Sequence, residues 1–316
     1  MTKLSPPDIA KLSCYQTEQL KRFRAKLSQA IATGDTEAVH DLRVASRRLH
    51  DALEVMGAYV GRKRVCQVQR SLKRIRRAFR EVRDLDVLRI SLCDAWGSGE
   101  AAANVQAEVE AVLARRRERA SAAANRVGRR PKLVERVESV QGLCQAFARF
   151  ARRNPAPLAE ELKNMLRRRA TVLLQEDPRE EGTDLHAVRI RVKQMRYCAQ
   201  LLEECGCLPA GILTESLVQM QDVLGHWNDQ IVATRILSRL AGRWRMISAK
   251  TAVSVRLLEY ATLRAQAALD DRRKVGEQWP ALADVVRASV SDEADDKSAS
   301  VAAAGILAAE RAEGDD

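Results

Sequence analysis

The segment HDLRVASRRLH, residues 40–50, decides how the chain is read. At about 100° per residue, a helix brings His40, Arg43, Arg47 and His50 within an arc of roughly 80°. Leu42, Val44, Leu49 and Leu53 fall on the remaining surface. The result is an amphipathic helix with one cationic stripe. The pattern returns in HAVRIRVKQMR, residues 186–196, where His186, Arg189, Lys193 and Arg196 repeat the steps of three, four and three. Leu185, Val188, Val192 and Met195 supply its apolar side. A single basic stripe is ordinarily a solvated face, but two stripes of matched spacing point to one shared anionic ligand.

The correspondence continues outward. SLKRIRRAFREVRDLDV (residues 71–87) aligns without a gap to SLVQMQDVLGHWNDQIV (residues 216–232), pairing Ser71 with Ser216, Leu72 with Leu217, Asp84 with Asp229 and Val87 with Val232. The displacement is 145 residues from Ser71 to Ser216 and 146 from His40 to His186. Gly and Pro are few, and alternating runs of β-branched or aromatic residues are scarce, which excludes a strand-rich fold. The expectation is an all-α protein of two four-helix bundles, related by internal duplication about a pseudo-two-fold axis.

Capping and breaker residues place the elements. Asp8 caps a first helix to about residue 32, ended by Gly34; Asp35 caps a second to Met56, before Gly57 and Gly61. A third is expected over about residues 62–96, a fourth to about 127 and a fifth over about 132–152. Pro155 and Pro157 open the second half, with helices at about 156–176, 184–204, 210–241 and 247–274, and a short helix beyond Trp279 and Pro280. One domain over about residues 5–285 results, its bundles at about 5–152 and 153–285. Residues 286–316 are an acidic tail expected to be disordered.

The formal net charge is +12. Residues 291–316 hold eight acids and two bases, a net of −6, so the preceding 290 residues carry +18. Such an excess calls for a polyanion: nucleic acid, an acidic membrane surface or a phosphate polymer. The seven cysteines form no CxxC pair and no zinc-like spacing with histidine, which suits buried thiols in a reducing compartment. The amino terminus lacks an apolar core, and no run of about 18 apolar residues occurs. A cytoplasmic protein without a membrane span is expected, with neither metal nor cofactor.

Four ordered motifs carry a family resemblance. H-x-x-R-x-x-x-R-R at residues 40–48, V-R-D-L-D-V at 82–87, H-x-x-R-x-x-x-K with R-Y at 186–197, and L-G-x-x-N-D at 224–229 resemble the CHAD family over about residues 8–280. The resemblance implies a helical domain of two similar bundles that binds inorganic polyphosphate through basic residues lining a central groove or pore, with members often found at polyphosphate granules. Some members adjoin a triphosphate-tunnel enzyme domain, whose first strand carries alternating Glu and Lys; no such strand is found here. One departure stands out. Val218, Gln219, Gln221, Asp222 and Gly225 occupy the positions of Lys73, Arg74, Arg76, Arg77 and Arg80, and Gln194 that of Arg48. The first half is therefore expected to contribute more charge.

A polyphosphate chain offers closely spaced charges and no bases to read, so its site needs many cations in register. The candidates are His40, Arg43, Arg47, Arg48, His50, Lys73, Arg76, Arg77, Arg80, Arg83, His186, Arg189, Lys193 and Arg196. On an unbroken third helix Lys73, Arg76, Arg77, Arg80 and Arg83 would share an arc of roughly 120°. From residue 70 to 83 bases outnumber acids seven to one, although Glu81 and Asp86 are available to pair with them. Asp84 and Asp229 are read as groups that orient an arginine or cap a contact between bundles. His40 and His186 begin their stripes, either donating to phosphate or acting as hydrogen-bonded interface residues. No Ser, His and Asp arrangement and no Gly-rich phosphate loop is recognisable, so no enzymatic role is expected. The alternative is a nucleic-acid binder, which an aromatic content of 4% disfavours; a scaffold for an acidic protein is a third reading.

Overall fold

A computed structural model describes residues 7–93, 100–209, 211–245 and 251–290. These residues form helices and turns with no strand, as the pattern predicts. In chain order the helices are α1 (Ile9–Ala32), α2 (Thr36–Ala52), a 3-10 turn at Glu54–Met56, α3 (Gly57–Val60), α4 (Arg62–Ala78), α5 (Arg80–Cys93), α6 (Glu100–Gly128), α7 (Pro131–Glu138), α8 (Val140–Arg153), α9 (Pro155–Leu174), α10 (Leu185–Glu204), α11 (Ile212–Arg245) and α12 (Thr251–Val290). The tail expected from residue 286 starts later than predicted, because α12 continues to Val290 and buries Val286; residues 291–316 lie outside the described residues.

The predicted starts hold where a side chain caps them. Asp8 accepts from the Ala10 and Lys11 amides at 2.9 and 3.0 Å, and Asp35 accepts from Ala38 N at 2.6 Å. Gly34, at φ 62°, takes the left-handed conformation that ends α1.

Three boundaries differ from expectation. The third predicted helix turns at Phe79 (φ −86°, ψ 6°), separating α4 from α5. Phe79 is fully buried, so its anchoring in the core offsets the broken helical geometry. The fifth divides at Ser139 into α7 and α8. Conversely α12 runs through Pro280, where the sequence predicts a stop. A proline inside a helix removes one backbone bond, but Trp279, Leu282, Ala283 and Val286 around it are all buried. Tertiary packing overrides the local preference.

Two apolar cores hold the molecule together, and both halves of the chain contribute to each. The larger joins α1, α2, α4 and α7–α10 to the start of α11 and the end of α12, with Phe23, Phe79, Phe147, Leu42, Leu72, Val188 and Val286 among its members. The smaller sits between the hairpins α5–α6 and α11–α12, through Leu85, Leu88, Val109, Leu113, Leu237 and Leu257. Helices α11 and α12, at 34 and 40 residues, are long enough to serve both cores. The two motif-bearing pairs meet through this arrangement: α2 packs against both α5 and α10, and α11 against both α5 and α10.

Candidate functional site

Helix α2 buries Leu42, Ala45 and Leu49, which turns Arg43 and Arg47 toward the Phe79 bend and toward α10. The Arg43 Nη1 donates to the Arg76 carbonyl at 2.9 Å, one of the carbonyls that α4 leaves without a helical partner where it ends. The bend thus positions Arg43, and Arg43 stabilises the bend. Helix α10 buries Val188, Val192 and Met195, which directs Arg189 and Lys193 back toward α2.

The electrostatics show how closely these rows converge. Burial, then Arg47, pushes Arg43 down to about 9, with Asp84 opposing the shift. Burial and Arg47 likewise push Arg76 down to about 10, and the same two causes bring Arg189 to about 10 against the opposing charge of Asp229. Lys193 falls furthest, to about 5, through burial followed by Arg47, Arg189 and Arg43. The arginines remain charged at neutral pH, whereas Lys193 does not. Arg47, from the first stripe, is the largest like-charge neighbour of both Arg189 and Lys193 in the second.

Several of these cations bury a nitrogen that has no acceptor among the described residues. They are Arg76 Nη1, Arg189 Nε and Arg196 Nε, each in a costly state unless something accepts from it. Arg196 does lie over the Tyr197 ring at 4.7 Å. Lys193 is 9% exposed and takes part in no ion pair or hydrogen bond among the described residues. The acids expected to neutralise the α4–α5 face are engaged elsewhere, because Glu81 pairs with Arg116 at 2.8 Å and Asp86 with Arg117 at 2.5 Å, both on α6. Among the described residues, Asp84 and Asp229 face Arg43 and Arg189, and Asp51 opposes the shift of Arg76. Burial raises the Asp84 carboxyl above its usual range, with Arg43 and Arg80 opposing and Asp229 adding to the rise.

The remaining candidates are placed as follows. Arg80, exposed on α5, is a like-charge neighbour of Arg43, Arg189 and His186. Arg83 neighbours His40, whose pKa is lowered by partial burial and then by Arg83, Arg47 and Arg43. His186 is lowered by burial and Arg189; its amide donates to Asp184, the N-cap of α10, at 2.8 Å. Both histidines are thus shifted toward the neutral form, His186 in the first turn of α10 and His40 in the second turn of α2. His50 instead contacts Asp51 at 3.1 Å, Arg77 is exposed and Lys73 half-buried and engaged.

Arg48 points away from its neighbour Arg47. It lines a cleft of about 690 Å³ between α1 and the end of α10, with Lys11, Tyr15, Gln19, Arg22, Glu18, Glu203 and Glu204. That cleft balances acids against bases, so the cation surplus lies in the Arg47 cluster and not there. The single arc predicted for five bases of one helix is divided by the Phe79 bend. Sequence reasoning missed Arg235 on α11, an opposing charge to Asp84, because it belongs to no repeated motif. No cluster of potential metal ligands occurs among the described residues, and no described helix is long and apolar enough to cross a membrane.

Comparison with known proteins agrees with this architecture. The CHAD domain model matches residues 14–238. The crystal structure of the CHAD domain from the plant Ricinus communis superposes with a TM-score of 0.57 at 21% identity, covering 91% of this chain and 93% of that one. PptA from Streptomyces chartreusis gives a TM-score of 0.54 at 18% identity, covering 87% of this chain and 99% of that one. No curated protein matches the sequence. With motifs, helical order and family model in agreement over most of its length, the chain belongs to the CHAD domain family.

Proposed function

We propose that the protein binds inorganic polyphosphate, without catalysis, at the cluster formed by Arg43, Arg47, Arg76, Arg80, Arg189 and Lys193, and that this affinity brings it to polyphosphate granules. The observation carrying the reading is the set of buried guanidinium nitrogens on Arg76 and Arg189 that lack acceptors among the described residues, in a cluster whose cations outnumber the acids Asp51, Asp84 and Asp229 that face them. A linear chain of phosphates supplies many acceptors at close spacing and releases its own counterions on binding. Arginine forks span neighbouring phosphate oxygens, and Lys193 supplies a compact charge. Membership of the CHAD family supports a polyphosphate-related role.

The test is affinity for long-chain polyphosphate at near-physiological salt, compared with orthophosphate and with duplex DNA at equal phosphate concentration. Polyphosphate is expected to bind far more tightly than either. Equal affinity for orthophosphate would end the reading. Displacement of polyphosphate by DNA would favour the nucleic-acid alternative.

A further inference from the structure

Lys193 occupies a place that its chemistry resists. It is buried at 9% exposure in the middle of α10. Arg43 and Arg47 face it from α2, Arg189 from one turn earlier on α10, and Asp229 from α11. His186, on the same helix, is a further like-charge neighbour when both are protonated. On α5, Arg80 and Asp84 stand beside Arg189. The other elements on α10 direct their charges elsewhere: Glu176, just beyond α9, lies 3.8 Å from Arg191, and α1 meets the far end of α10 where Asp8 N donates to Cys205 O at 2.9 Å. One shared carboxylate therefore stands against three guanidinium groups.

We infer that Lys193 is an uncharged amine while the cluster is empty and takes up a proton as a phosphate chain enters, so that polyanion binding at this site is coupled to protonation and strengthens as pH falls. This rests on reading the cluster as the polyphosphate site. An ammonium there is disfavoured by desolvation and by like charge; the entering phosphates remove the second penalty and supply acceptors. The burial and charge effects that hold the lysine near a pKa of about 5 in the empty protein are outweighed once several negative charges lie alongside. Lysine suits this role where arginine does not, because a guanidinium stays protonated in either state. Lys193 thereby makes the site a sensor of pH as well as of polyanion.

The coupling is read from the full-length protein titrated calorimetrically with long-chain polyphosphate at pH 8, in buffers of different ionisation enthalpy. Uptake approaching one proton per site is expected from linkage, and Lys193→Arg, which carries its charge throughout, is expected to take up roughly one proton fewer while still binding. The two histidines are present in both proteins and cancel in the difference. Lys193→Met serves if the larger arginine disturbs packing, with helical content checked by circular dichroism. Independently of any variant, log Kd of the native protein is expected to rise with a slope of about one between pH 8 and 9, above the range of either histidine. A flat profile there, or equal proton uptake by native protein and Lys193→Arg, overturns the inference and leaves polyphosphate binding standing. Failure of the native protein to bind polyphosphate sinks the underlying reading instead.

Discussion

Replacing Arg47 by glutamine should move stability and affinity in opposite directions. Arg47 is a like-charge neighbour of His40, Arg43, Arg76, Arg189 and Lys193. In the empty protein it therefore raises the free energy of the fold. Its removal is expected to stabilise by about 1 kcal/mol, the usual scale of a single substitution, or roughly 2 °C in Tm for a chain of this size. With ligand present the sign reverses. Removing one charge-assisted hydrogen bond costs about 1.5–3 kcal/mol, roughly a tenfold to hundredfold rise in Kd. The slope of log K against log salt should become shallower by about 0.7 for each phosphate that position 47 no longer neutralises. Thermal unfolding without ligand and salt-dependent titration with polyphosphate measure the two effects separately. A variant that loses stability while keeping native affinity and salt slope would refute the placement of Arg47 at the centre of the site.

Asp84→Asn removes a carboxylate facing Arg43 and Arg80, so polyphosphate should bind several-fold more tightly, by about 1 kcal/mol, and the unliganded protein should be less stable; titration and thermal unfolding check both. Asp86→Ala should have the reverse profile. Its carboxylate is buried against Arg117, so breaking that pair should cost about 3 kcal/mol in stability, measured by denaturant unfolding, with unchanged affinity of the folded fraction. Lys193 sets a pH dependence on the empty protein. A lysine whose pKa is depressed in the folded state gives up its proton on folding, so stability should rise from pH 6 to 8 by up to about 1.4 kcal/mol per unit. Lys193→Met should remove that slope, and unfolding at a series of pH values reads it.

The helical architecture and the meeting of two cationic stripes were legible because both rest on periodicity, which survives without knowledge of packing. Leu42 and Leu49 on α2, and Val188 and Val192 on α10, occupy the buried faces their spacing predicts, and the cations opposite them follow. What periodicity could not show was the bend at Phe79, where burial of one ring divides an apparently continuous pattern. Nor could it show the passage of α12 through Pro280, secured by the packing of Trp279 and Val286. Cys14, expected among buried thiols, is exposed at the mouth of the α1–α10 cleft. Arg48 illustrates the limit within the site itself: it adjoins Arg47 in sequence, yet one helical step of about 100° carries it to another face. The partners of Glu81 and Asp86 were also invisible, since Arg116 and Arg117 come from a helix with no motif.

The central claim is that two helices from distant parts of the chain hold one phosphate chain between them. A crystal structure of the complex with polyphosphate tests this most directly. The account predicts phosphates bounded by Arg43 and Arg47 of α2, Arg76 and Arg80 at the Phe79 bend, and Arg189 and Lys193 of α10, with the Arg76 and Arg189 nitrogens donating to phosphate oxygens. Phosphates lying instead along the exposed bases of α4, at Arg70, Arg74 and Arg77, with the buried guanidinium groups still unpaired, would contradict it.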